Sequence, residues 1–266
     1  MKIFSIVSSV LVVLWYLPAT ALAESQYTAL LNSFEFRNLG PFRAGSWVPA
    51  IAVPEQPVKE HLRTFYVAAR TGGLWKTTNN GTTFEPMTDV QGIMSIGAVA
   101  VAPSNADIVW LGGGDASNTR SAYYGEGVFR SMDGAKTWQH MGLKDTQHIA
   151  RIVIHPSNPQ IVYVAALGHL YTPNEERGVF KTTDGGQTWK KVLYVGPNVG
   201  AVDLVIDPRN PDTLFAATND YQRFPWTFRD GGPGSGIYKT TDAGAHWYKL
   251  AGGLPGQSFG GHVGGR

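Results

Sequence analysis

Along most of the chain, short apolar stretches alternate with Gly-, Asn- and Asp-rich punctuation, and beyond the first 23 residues no segment sustains a helical period. This pattern predicts short β-strands joined by tight turns. Internal repetition organises the strands. Four eight-residue segments align without gaps at Thr77–Phe84 (TTNNGTTF), Ser131–Trp138 (SMDGAKTW), Thr182–Trp189 (TTDGGQTW) and Thr240–Trp247 (TTDAGAHW), their starts 54, 51 and 58 residues apart. Each follows a β-type tetrapeptide, at Gly73–Lys76, Gly127–Arg130, Gly178–Lys181 and Gly236–Lys239. A second motif lies upstream in three of the units, at Val101–Ala106, Ile154–Pro159 and Ile206–Pro211, and an apolar strand follows each copy.

The eight-residue motif has the chemistry of a hairpin turn. Its Ser or Thr and its Asp (Asn79 in the first copy) accept turn N–H groups, and its Gly permits positive φ. Ala135 replaces that Gly in the second copy, which predicts a strained or shifted turn there. The aromatic residue closing the motif starts the next strand and packs under the turn or on the neighbouring unit. In the second unit the strands are expected at Gly97–Val101, Ile108–Leu111, Gly127–Ser131 and Thr137–Met141. Four short strands about every 50 residues describe a blade of a β-propeller, so the fold class is all-β with four blades over residues 37–250. Rings of such blades more often hold six to eight, and an open arc exposes a sheet face, so a larger propeller with further C-terminal blades is expected.

The flanks read differently. Lys2, an apolar run to Leu17 and the Ala21-Leu22-Ala23 site form a signal-peptide pattern, with cleavage expected after Ala23 and a secreted or periplasmic product. The run is too short for a stable membrane span. Residues 24–36 are a lead-in, and 251–266 a Gly-rich tail. A net charge of +2 with 16% charged residues argues against a nucleic-acid partner, and the absence of Cys excludes disulfides and thiolate chemistry. No metal-ligand motif or cofactor-binding loop is present, so neither metal nor cofactor is expected.

The repeated Ser/Thr-x-Asp-x-Gly-x-Thr-Trp motif resembles the Asp box of BNR-repeat propellers, a group that includes sialidases, xyloglucanases and sortilin-type receptors. Wider strings at Arg37–Arg43, Gly72–Thr77, His148–Ile152, Asn174–Phe180 and Gly231–Gly236 are similar to exported bacterial proteins of the sortilin N-terminal-like or BNR-repeat glycosyl hydrolase set. The resemblance runs from about Phe36 to Pro255 and implies the propeller fold. Xyloglucanases resemble the chain at Arg70–Gly73 but carry an acidic residue within that turn, which this chain lacks.

In a blade, the loop between the second and third strands and the loop leading into the first open on one face, and the Asp-box turn lies on the other. Asn79, Asp133, Asp184 and Asp242, with Phe84, Trp138, Trp189 and Trp247, are therefore assigned to the scaffold. The long insertions, at 115–126, 168–177 and 219–235, all fall on the first face and are absent from the first blade. They place candidate ligand-binding residues Asp115, Tyr124, His169, Glu175, Arg177, Asp220 and Trp226 on one rim, joined by Arg43 and His148 from lead-in loops. Aromatic platforms with carboxylates and Arg suit a protein or glycan ligand. A glycosidase needs two carboxylates at defined separation, and Asp115, Glu175 and Asp220 are the candidates. The leading expectation is an exported, ligand-binding propeller. The alternatives are a glycoside hydrolase and a structural module of a larger exported protein.

Overall fold

The structure, a computed structural model, describes residues 47–251 apart from 56, 57, 118 and 120. The signal-type segment 1–23, the lead-in 24–36, Arg43 and the tail beyond Ala251 lie outside the described residues.

Four antiparallel meanders follow one another along the chain. The first blade comprises β1 (Ala50–Ala52), β2 (Phe65–Ala69), β3 (Gly73–Thr77) and β4 (Glu85–Pro86). The second comprises β5 (Ile96–Ala102), β6 (Asn105–Gly113), β7 (Val128–Ser131) and β8 (Gln139–His140). In the third they are β9 (Ile149–Ile154), β10 (Val162–Ala166), β11 (Gly178–Thr182) and β12 (Lys190–Leu193). The fourth has β13 (Val199–Ile206), β14 (Leu214–Arg223), β16 (Gly236–Thr240) and β17 (Tyr248–Lys249), with β15 (Phe228–Asp230) paired to the far end of β14. No helix among the described residues is long and apolar enough to cross a membrane.

The all-β propeller expected from the repeats is the observed fold, with two local differences. The outermost strand expected at Thr137–Met141 contracts to Gln139–His140, because Thr137 spends its N–H on the carboxylate of Asp133 inside the turn. The third insertion, 219–235, is built as a hairpin: β14 runs on to Arg223 and returns as β15, with Tyr221 opposite Asp230.

First strands of neighbouring blades lie side by side, β5 against β9 and β9 against β13. The hydrophobic core lies between sheets. One cluster joins the first and second blades through Tyr66, Leu74, Ile96 and Leu111. The next joins the second and third through Trp110, Val128, Ile149 and Val164, and another joins the third and fourth through Tyr163, Val179, Leu204 and Leu214. Each sheet therefore buries both faces only when a blade stands on either side of it.

Candidate functional site

Strand alternation puts all four Asp-box turns at one end of the blades and the insertions at the other. The Asp-box end is closed by its own hydrogen bonds. In the second blade Ser131 Oγ donates to Asp133 at 2.7 Å and accepts from Ala135 N at 2.8 Å. Asp133 in turn accepts from the N–H groups of Lys136 and Thr137 and, at 2.6 Å, from the Thr137 hydroxyl. Desolvation raises the Asp133 pKa, but these hydrogen bonds outweigh it and hold the carboxyl down to about 2. Asp184 and Asp242 are lowered by the same kind of bonds, first from the Thr188 side chain and the His246 backbone respectively. Asn79 keeps the geometry with an amide, accepting from Thr83 N and donating to Thr83 Oγ1, both at 2.9 Å. Ala135 takes φ +74° where the other copies have glycine, so the strained form of that turn is the one adopted.

Each turn is also bonded to its neighbours. Lys76 Nζ donates to Gly134 O at 2.9 Å, Arg130 to Gly185 O at 2.7 Å, and Lys181 Nζ to Ala243 O at 2.8 Å. A cation from one blade thus bonds the fourth box carbonyl of the next. In return, Trp138 Nε1 donates to Met87 O and Trp189 Nε1 to Met141 O, at 2.9 and 2.6 Å. The box tryptophans are half-buried joints between blades, while Phe84 packs edge-on against Phe65 of its own blade.

At the opposite end, several candidate residues are engaged in holding loops. Asp115 is 1% exposed and pairs with Arg70 Nε at 2.5 Å, so the tight turn of the first blade reaches into the insertion of the second. His148 is buried with Nδ1 2.8 Å from the carbonyl of Asp115. A carbonyl only accepts, so Nδ1 carries the proton, and burial pushes the imidazole pKa down to about 4. Arg177 is fully buried, lies over the Tyr221 ring at 4.5 Å, and donates to the carbonyls of Asn198 and His169 at 3.0 and 2.7 Å. Burial lowers the pKa of its guanidinium. Asp220 accepts from Arg229 at 2.8 Å and keeps 9% of its side chain exposed. His169 is half-buried, bonded to Asp145 O at 2.9 Å.

Other side chains face solvent: Tyr123, Tyr124, Tyr171, Glu175 and Trp226, the last 80% exposed and stacked on Phe224. Tyr123 and Tyr124 line a cleft of about 650 Å³ together with Ile93, Met94, Ser95 and Glu126, between the first and second blades. The structure thus separates the candidates into two groups. Asp115, His148, Arg177 and Asp220 brace the loops, while Tyr124, Glu175 and Trp226 are displayed by them. Asp115 and Asp220 are each paired with an arginine, Arg70 and Arg229 respectively. Arg70 is the partner that sequence reading missed; its signal is its position at the end of β2, where the first blade has no insertion of its own.

A family profile described as Sortilin-Vps10 (Sortilin, neurotensin receptor 3) matches residues 126–263. A curated xyloglucanase from Paenibacillus sp is 25% identical over 87% of this chain and 24% of its own length. An oligoxyloglucan-reducing end-specific xyloglucanase from Emericella nidulans is 23% identical over 89% of this chain and 28% of its own. The chain therefore spans about a quarter of the length of these relatives. Among solved structures, the Niastella koreensis GH74 enzyme superposes with a TM-score of 0.56 at 22% identity, covering 76% of this chain and 30% of that one. An ancestral GH74 enzyme superposes at 0.58 and 22%, covering 84% and 26%. These likenesses carry the fold.

Proposed function

The chain belongs to the Sortilin-Vps10 family, and from that premise we propose that it contributes four blades to a larger, glycoside-hydrolase-like propeller whose insertion-bearing face contacts a glycan. The observation that carries the reading is the division of labour between the two ends. The Asp-box carboxylates are saturated with internal hydrogen bonds, whereas the insertion end holds its loops with buried ion pairs and displays aromatic rings. Fixed loops with exposed aromatics form a binding surface, because ordering them beforehand removes an entropic cost from binding. The xyloglucanase relatives supply the ligand class, a neutral polysaccharide built on a glucan backbone.

Cleavage of such a chain takes two carboxyl groups, an acid and a base or nucleophile. Glu126 and Glu175 are among the exposed carboxylates on this face, while Asp115 and Asp220 are paired with Arg70 and Arg229. In this reading the four blades chiefly bind and orient the glycan, and a complete catalytic pair draws on residues outside those described. A protein ligand is the second reading, favoured by the family match over residues 126–263.

The test is affinity electrophoresis of the purified chain in gels containing xyloglucan, with release of reducing ends measured in parallel. Retardation by xyloglucan supports the glycan reading. Unretarded migration on every neutral glucan, together with capture by an immobilised peptide library, overturns it in favour of the protein ligand. Export belongs to the same proposal, and rests on the signal-type pattern ending at Ala23. A product recovered outside the cytoplasm beginning at Glu24 supports it; a cytoplasmic product retaining Met1 overturns it.

A further inference from the structure

The second-blade insertion is pinned more firmly than a solvent loop needs to be. Asp115 N donates to Tyr123 O at 2.8 Å, Ser95 Oγ to the same carbonyl at 3.2 Å, and Gly125 N to Gln147 O at 2.7 Å. The Arg70 guanidinium adds bonds to Ser121 O at 3.0 Å and to the Thr119 hydroxyl. At Gly125 a Cβ would collide with the backbone of Gly113 and Gly114, so the loop lies directly on the end of β6. Groups of the second blade and of the loop leading into the third therefore hold residues 123–125 in place, and the first blade ties down 119 and 121 through Arg70.

The side chains held there have no part in the hydrophobic core. Tyr123 is 56% exposed and Tyr124 70%, and neither hydroxyl is hydrogen-bonded among the described residues. They flank the 650 Å³ cleft, with Met94, 59% exposed, also lining it. Among the described residues Glu126 is the one charged side chain lining the cleft, and Lys144 lies 3.5 Å from its carboxylate, offsetting that charge. The volume falls within the range of small-ligand sites, and the lining is aromatic, thioether and neutral polar. Such a lining suits a ligand that is uncharged and amphipathic, with a flat apolar face and hydroxyl edges. A pyranose ring has that form: its axial C–H groups stack on a tyrosine ring while its hydroxyls reach the backbone and Gln91 at the rim.

We propose that the Tyr123–Tyr124 cleft is a stacking subsite for uncharged pyranose units of a glucan chain, and that the Arg70–Asp115 pair is the brace that presents it. The proposal rests on the glycan reading above and localises it. Among the described residues Glu126 is the only carboxylate lining the cleft, so the subsite binds the chain and cleavage is not assigned to it.

Calorimetric titration of the full chain with cellohexaose and with xyloglucan oligosaccharides tests it. Tyr124→Ala and Tyr123→Ala are each expected to weaken binding at least tenfold, and Tyr124→Phe to retain it, since the ring and not the hydroxyl is used. Tyr248→Ala, a comparably exposed tyrosine on β17, serves as the control and should change nothing. Thermal melting is expected to be the same for wild type and the Tyr123, Tyr124 and Tyr248 variants, so a loss of affinity is not a loss of fold. If both alanine variants bind like wild type while Trp226→Ala abolishes binding, the subsite is wrong and the glycan reading stands. If wild type binds no oligosaccharide at all, the glycan reading itself falls. If a peptide binds with the same Tyr124 dependence and no glycan does, the cleft is a protein site and the sugar assignment is overturned.

Discussion

The third and fourth blades carry nearly the same short sequences and differ in what stands beside them. On the face that the third blade turns toward the fourth, Tyr163 is 1% exposed, Val179 is fully buried, and Lys181 Nζ rests over the tyrosine ring while donating to Ala243 O. The corresponding face of the fourth blade presents Phe215 at 36% exposure, Val205 at 53% and a half-buried Ile237. Lys239 Nζ lies over the Phe215 ring at 5.4 Å, as Lys181 does over Tyr163 at 5.2 Å. Yet among the described residues no box carbonyl accepts from it. The cation over the aromatic ring is thus a local product of two adjacent strands. The hydrogen bond, and most of the burial, come from the next blade.

The sharpest test of this contrast is the aromatic on each second strand. Tyr163→Ala should cost ~3–5 kcal/mol and Phe215→Ala about 1 kcal/mol in chemical denaturation, because only the former opens a cavity between packed sheets. Equal losses would mean that the fourth blade is covered in solution. Next in size is the latch. Lys181→Met removes one of the two donors to Ala243 O, the Tyr163 hydroxyl remaining at 2.9 Å, and should cost about 1 kcal/mol, whereas Lys239→Met should stay within about 0.5 kcal/mol.

The box tryptophans give a smaller difference. Trp189→Phe removes the bond to Met141 O and should cost about 1 kcal/mol. Trp247 Nε1 is buried without a hydrogen-bond partner among the described residues, so Trp247→Phe should be neutral or slightly stabilising by the same measurement.

Acid titration of the box turns should not distinguish the blades, since the turns are alike. The depressed pKa of Asp133 means that the unfolded state binds more protons between the ordinary carboxylate value of 3.8 and about 2. Its stabilisation is present above 3.8 and is lost as pH falls through about 2. Asp133→Asn and Asp242→Asn should flatten that limb alike. His148 acts at higher pH: held neutral to about 4 against an ordinary 6.5, it removes stability as pH falls from 6.5 toward 4, and His148→Phe should flatten that limb alone. A box variant that altered the upper limb, or a His148 variant that altered the lower, would contradict these assignments.

The local motifs made most of the fold legible. Ser131, Asp133 and Thr137 form a turn from interactions spanning a few residues, and the same spacing at 182–188 and 240–246 forms it again, so repetition alone announced blades and their order. The candidate site was legible only as a set of loops. Asp115 and Tyr124 read alike as polar or aromatic residues on one insertion, yet one is buried against Arg70 and the other stands in solvent. Nothing within the insertion foretells this, because Arg70 lies 45 residues away in another blade.

Sequence by itself determined the strand pairs, the box turns and the end of each blade on which the insertions lie, since these follow from period-two alternation and short-range hydrogen bonding. Tertiary structure decided which charged groups pair, which aromatics are buried and which are offered to a ligand. Those outcomes depend on contacts between blades, where distance in the chain carries no information and only the packing of one sheet on the next brings Arg70 to Asp115, His148 to the Asp115 carbonyl and Lys181 to Ala243.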